Sequence, residues 1–320
     1  MEDNYMELFL AFIGSSVLTL ILVPFFIQVF IKKKIGQTTR EEGPSWHQVK
    51  TGTPTMGGTV FVTVSILVVL LAAFLFNLVD GAVLTIAATL ALFGGIGFVD
   101  DFISVFRKQN EGLTAKQKFL IQLIFSGIAV WIGYQFGHYF SLPFFVWEIQ
   151  NILLVILFAF FWITGFSNAV NLTDGLDGLA TGLNIIAYGA YFMMAVQQEA
   201  KGIALACLVI VGSLLAFLVY NRKPAKIFMG DVGSLALGAG LAIISILLHH
   251  PWSLLVIGLV FVVETASVIL QVTSFKTTGK RIFKMSPIHH HFEMSGWSEE
   301  KVVTIFWLVG MLASLVYFIL

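Results

Sequence analysis

Ten apolar runs, each near the length of one bilayer crossing, restrict this chain more than any other feature of its sequence. They fall at about 6–31, 55–76, 81–99, 119–139, 151–170, 178–197, 202–220, 232–249, 252–273 and 302–320. In lipid every backbone N–H and C=O must be satisfied within the chain, and an open sheet edge cannot do this. The expected fold is therefore all-α: a polytopic integral membrane protein of about ten transmembrane helices, forming a single transmembrane catalytic domain over 1–320. The composition agrees, with 58% hydrophobic and only 11% charged residues and a mean hydropathy of +0.92. A soluble domain carries about 25% charged residues. The single Cys207 lies in an apolar run, allows no intrachain disulfide and reads as a packing residue. The acidic start Met1-Glu-Asp-Asn-Tyr-Met-Glu7 lacks the basic leader of a signal peptide, so the first run is expected to stay in the mature protein.

An even number of spans places both termini on one side, and the basic residues say which. Alternate connections hold 17 of the 18 Lys and Arg residues, from Lys32–Lys34 to Lys301, and the other set holds only Lys201. By the positive-inside rule the rich set faces the cytoplasm and both termini are extracytoplasmic. The net charge is +0, so the overall balance says nothing about partners, and no nucleic acid is expected among them.

Five polar clusters fall in the cytoplasmic set. Asp100 and Asp101 close the third run; adjacent carboxylates at a membrane boundary repel each other, and a cation relieves both. Asn171, Asp174 and Asp177 are spaced by three, so in a helical turn they share one face; the surrounding glycines allow close approach of another group. The segment Tyr220–Ser234 brings cations and the aromatic Phe228 to Asp231, which starts a helix where the dipole favours phosphate. His289, His290 and His291 are consecutive and cannot all face one metal from a regular helix; they suit phosphate or sugar hydrogen bonds better than a zinc site. The turn-rich segment Trp46–Gly58 carries Lys50, a possible phosphate contact. Glu264 lies inside the ninth run with no basic neighbour in sequence and stays unassigned. No Walker-type loop, spaced Cys/His signature or nucleophile elbow is present. Gathered carboxylates with phosphate donors make a kit for phosphoryl transfer, and the hard oxygen ligands make Mg²⁺ the expected ion.

These motifs resemble the phospho-N-acetylmuramoyl-pentapeptide transferase family, within the wider polyprenyl-phosphate hexosamine-1-phosphate transferases. Asp100-Asp101, Asn171-Leu-Thr-Asp174-Gly-Leu-Asp177-Gly178 and Phe228-Met-Gly-Asp231 carry the wider likeness, and Gly52-Thr-Pro-Thr-Met-Gly-Gly58 and Pro287-Ile-His-His-His-Phe-Glu293 the narrower one. The resemblance runs from about Lys34 to Glu300. It implies transfer from UDP-N-acetylmuramoyl-pentapeptide to undecaprenyl phosphate at the bacterial plasma membrane, giving lipid I and UMP, with a homodimer as the expected assembly. It further implies that Asp231 is the main Mg²⁺ ligand, with Asp100 and Asp101 beside it, and that Asp100 deprotonates the lipid phosphate. Asn171, Asp174, Asp177, Asn221 and Phe228 would then line the nucleotide pocket. Lys50, Thr55, Lys116, Gln271, His289 and His290 would be further substrate contacts.

The nearest rival is a sister enzyme moving N-acetylglucosamine-1-phosphate onto the same lipid, against which only the histidine motif speaks. A transporter would place its polar groups near the midplane, often in inverted repeats, and neither pattern is evident. A structural scaffold would not need clustered carboxylates.

Overall fold

A computed structural model describes residues 5–33, 36, 50–107, 112–136, 142–144, 147–149 and 151–319. In chain order its helices are α1 (Met6–Lys32), α2 (Gly58–Leu75), α3 (Gly81–Arg107), α4 (Ala115–Gln135), α5 (Ile152–Thr173) and α6 (Leu179–Gln197). They continue with α7 (Lys201–Asn221), α8 (Gly230–Leu247), α9 (Ser253–Ile257), α10 (Leu259–Thr278), α11 (Ile288–Glu293) and α12 (Glu299–Ile319). All except α9 and α11 are long and apolar enough to cross a membrane, which makes ten. A short antiparallel pair, β1 (Leu142–Phe144) and β2 (Trp147–Ile149), stands between α4 and α5 with Leu142 opposite Ile149. The sequence reading did not anticipate it.

Helix limits depart from the apolar runs where polar chemistry takes over. α4 begins at Ala115 rather than 119, because Thr114 and Gln117 form a capping box: the Thr114 hydroxyl accepts from the Gln117 N–H, and the Gln117 side chain accepts from the Thr114 N–H. The third helix continues beyond residue 99 through Asp100 and Asp101 to Arg107. The ninth run is not one helix; at Gly258 the backbone (φ −92°, ψ 20°) leaves the helical well and separates α9 from α10. Apolar character is continuous across that break, so hydropathy could not reveal it.

The helices form an inner and an outer class. α8 is apolar all round and fully enclosed, with every residue from Val232 to Leu247 buried, and it packs against α3 and α5. In α8, 89% of the most apolar stretch is buried, against 28% in α1. The outer helices turn large apolar side chains outward, among them Phe74, Leu153 and Phe161, which water would penalise and lipid does not. Gly97 lets α3 and α8 touch backbone to backbone, since a Cβ there would lie 2.2 Å from the Asp231 carbonyl oxygen. Buried polar groups bridge the helices as well. Tyr188 donates to the Leu237 carbonyl (2.7 Å) and the Trp162 indole to the Ser245 hydroxyl (3.1 Å). Each such bond contributes about 0.6 kcal/mol in a membrane bundle. The close α3–α8 contact brings the end of one helix against the start of the other, and there the charged residues collect.

Candidate active site

Asp100 and Asp101 ride on the last turns of α3, and Asp231 on the first turn of α8. One carboxylate oxygen from each lies within 4.8 Å of the others. Gly230 makes this possible: its φ of +74° is left-handed, and a Cβ there would sit 2.4 Å from the Asp101 carboxylate. Asp101 accepts the Val232 N–H at 3.2 Å, so α8's first turn supplies an otherwise orphaned donor. Asp100 accepts the Leu113 N–H at 2.8 Å.

The ammonium of Lys118, at the start of α4, bridges the cluster. It donates to Asp100 (3.0 Å) and to Asp231 (2.6 Å). One buried and two half-buried carboxylates held against one ammonium are a cation-binding arrangement, and their hard oxygens suit Mg²⁺ or Ca²⁺. The donor set therefore fits a divalent ion that shares or takes over Lys118's place. Lys116, the expected contact, is exposed two residues away. Positions i and i+2 do not share a helix face. The capping box sets the phase that turns Lys118 inward.

A polar turn adjoins the carboxylates. Asn171, in the last turn of α5, donates to Asp231 (2.8 Å) and to the Ser234 hydroxyl (2.9 Å). Asp174 and Asp177 do not share a helical face with it, as the spacing of three had suggested. α5 ends at Thr173, Asp174 is its C-cap, and Gly178 is left-handed at φ +78°, so the acids lie on the turn into α6. Burial, then the nearby Asp231 and Asp177 carboxylates, push the Asp174 carboxyl up to about 7, while the Gly230 N–H and Lys50 pull the other way. Asp177 accepts Lys50 (2.6 Å) and the Ala225 N–H (2.9 Å). Glu299, at the start of α12, accepts both Lys50 and the Asp177 N–H, and also faces Lys223 at 3.4 Å. Sequence reasoning missed Glu299, whose partner Lys50 lies 249 residues away.

Asn221 is buried; it accepts from Thr181 (2.6 Å) and donates to the Ile227 carbonyl (3.0 Å), fixing the loop that carries half-buried Phe228. The backbone of Phe228 donates to Pro54, and Gly57 donates back to Phe228, which ties the segment holding buried Thr55 to the α8 entrance. Of the turn-rich segment, residues 46–49 lie outside the described residues. Gln271 is held by backbone: it accepts from Ile282 and Phe283 N–H (2.9 Å each) and donates to the Phe283 carbonyl (2.9 Å). It anchors the loop after α10.

The three histidines sit on α11, each with a different Nδ1 partner. His289 meets Glu264 at 3.1 Å, His290 meets Glu293 at 2.8 Å, and His291 accepts the Lys284 N–H at 3.1 Å. Glu264 is thus not an isolated intramembrane acid. His289 also lies against Gly175, so Glu264 stands at the level of the acidic turn, and α10 continues past it to Thr278 for about 20 Å.

Comparison with known proteins gives the arrangement a lineage. The family model for glycosyl transferase family 4 matches residues 83–249, the stretch from α3 to the end of α8. The phospho-N-acetylmuramoyl-pentapeptide-transferase of Lactobacillus acidophilus is 52% identical over 312 residues, 96% of each chain. That of Enterococcus faecalis is 52% identical over 313 residues, 97% of each chain. That of Listeria innocua is 50% identical over 309 residues, 95% of each chain. With this identity sustained from end to end around an acid cluster built by α3 and α8, the chain belongs to the phospho-N-acetylmuramoyl-pentapeptide-transferase family.

Proposed function

We propose that this chain, acting as one catalytic domain, transfers the phospho-N-acetylmuramoyl-pentapeptide unit from its UDP carrier to undecaprenyl phosphate, giving lipid I and UMP. The observation that carries the reading is the meeting of Asp100, Asp101 and Asp231 within 4.8 Å at the end of the bundle where basic residues concentrate, in a chain with full-length relatives of this activity. The charge bias of the loops supports a multi-pass bacterial plasma-membrane protein with its active site in the cytoplasm and both termini outside. A homodimer is the expectation that the family likeness carries.

In this reading Asp231, Asp100 and Asp101 would hold Mg²⁺, which would supply positive charge to neutralise the diphosphate. Asp100 takes the remaining proton of the lipid phosphate. The freed phosphate oxygen attacks the phosphorus next to the sugar, the bond from that phosphorus to the bridging oxygen breaks, and the electron pair departs on UMP. Asn171, Asp174, Asp177, Asn221 and Phe228 orient the nucleotide, Phe228 by stacking on the base. Lys50, Thr55, Lys116, Gln271, His289 and His290 border the remaining substrate groups. Lys50 must loosen its hold on Asp177 and Glu299 to reach a phosphate.

Purified protein is assayed for UMP release with undecaprenyl phosphate and either UDP-N-acetylmuramoyl-pentapeptide or UDP-N-acetylglucosamine, with Mg²⁺ or EDTA. Mg²⁺-dependent turnover of the muramoyl substrate alone is expected. Turnover of the N-acetylglucosamine nucleotide instead would assign the chain to the sister activity.

A further inference from the structure

The histidine motif and the acid it meets, Glu264, hold two buried polar atoms that nothing among the described residues satisfies. His289 is wholly buried, and so is Glu264. The imidazole Nδ1 is 3.1 Å from one Glu264 oxygen. The other oxygen, Oε2, and the far edge of the ring, Nε2, have no hydrogen-bond partner among the described residues. An unmet buried polar atom costs about 1–3 kcal/mol. A purely structural pair would be expected to satisfy both, or to be replaced by apolar packing. Here Nε2 is aimed at the backbone of Gly175, between Asp174 and Asp177; a Cβ at that position would come within 2.4 Å of it. The ring edge therefore points into the acidic turn, and that turn has no side chain at the one place where it would block the ring.

A carboxylate accepts and cannot donate, so Glu264 holds the proton on Nδ1 and fixes both the tautomer and the plane of the ring. His290 repeats the pattern with Glu293, whereas Nδ1 of His291 accepts a backbone N–H and so carries no proton of its own. The three neighbouring imidazoles are thereby made chemically unlike.

We infer that Glu264 is a positioning residue for the transfer reaction, orienting His289 so that its Nε2 edge serves the substrate groups that enter beside the Asp174–Asp177 turn. The inference rests on the proposed activity. It assigns Glu264 no contact with substrate; Glu264 acts only through His289.

The test combines kinetics with ¹⁵N NMR of histidine-labelled protein, the His289 signals being identified by their loss in His289→Gln. In the active wild type Nδ1 of His289 is expected to be protonated. Glu264→Gln keeps the shape but offers an amide donor to Nδ1. It is expected to alter that signal, to lower kcat/KM for the UDP-sugar about 10- to 100-fold, by analogy with the loss of a metal-bound histidine's orienting partner, and to leave the thermal midpoint nearly unchanged. Glu264→Asp is expected to recover part of the rate. In a His289→Gln background, Glu264→Gln is expected to cost nothing further. Wild-type kinetics in Glu264→Gln, an equal loss in both backgrounds, or an Nδ1 found unprotonated in the wild type would each overturn the inference. A loss of rate tracking a loss of thermal stability would also overturn it, leaving a structural role. A wild type inactive on the UDP-sugar but with Nδ1 protonated would instead count against the proposed activity, since the NMR arm does not depend on turnover.

Discussion

Two acid-bearing regions border the Asp174–Asp177 turn, and they handle buried charge in opposite ways. At the α3–α8 junction Asp100 and Asp231 share the ammonium of Lys118, and Asn171 and backbone N–H groups take further oxygens. At the α10–α11 junction the Glu264 side chain meets His289, and among the described residues each keeps one unmet atom. The first region is partly neutralised and still carries more carboxylates than cations; the second is oriented but incomplete. A cluster with a resident ammonium must rearrange around it when it binds a cation, while an incomplete pair has no partner to move.

The largest expected effect is on the α3–α8 side. Asp231→Asn removes a charge from the cluster while keeping the Asn171 contact sterically possible, and UMP release is expected to fall by about 10³-fold, as when one preorganised electrostatic group is lost. A loss under tenfold would remove Asp231 from the centre of the site. Next is Lys118→Met, which leaves the carboxylates without their resident cation. The metal-free protein is expected to lose about 3 kcal/mol, read as a lower thermal midpoint in EDTA, and to gain more from added Mg²⁺ than the wild type does. An unchanged midpoint would mean that the two regions do not differ as described.

Asp174, between the two regions, makes a pH prediction. Its carboxyl is pushed from 3.8 up to about 7. Between those values the folded protein binds the proton that the unfolded chain has lost, so this contribution to stability is full below about 3.8 and fades as pH rises through 7. In metal-free buffer Asp174→Asn is expected to be more stable than wild type at pH ~8, by on the order of 2 kcal/mol, with the gap closing towards pH ~4. A gap that widened on acidification would reverse the assignment. The smallest effect belongs to the histidine side. Gln271→Leu frees the Ile282–Phe283 backbone and is expected to cost about 1 kcal/mol and to raise hydrogen exchange at residues 280–286 without altering Mg²⁺ dependence.

How legible each region was in the sequence follows from the same physics. The spans are visible because lipid demands long apolar runs, and Asp100-Asp101 because adjacency in sequence is adjacency in space. Asp231 could be placed by its position before an apolar run, and α8 does begin at Gly230. The turn holding Asp174 and Asp177 was misjudged as helical because three-residue spacing was weighed above Gly175 and Gly178, the better signal. That Lys118 reaches the carboxylates could have been read from the Thr114-x-x-Gln117 cap, which sets the helix phase. The Glu264–His289 and Lys50–Glu299 pairs span 25 and 249 residues, and only packing brings them together. β1 and β2 carry no alternation long enough to read.

Lys118 also bears on how the protein is made. Zinc fingers stay unfolded until their ion arrives, because nothing else offsets the repulsion or satisfies the ligands. This chain brings its own counterion on a neighbouring helix, so the acids can be drawn together during membrane insertion with no metal present. Ion loading then becomes a rearrangement of positive guests within a finished scaffold.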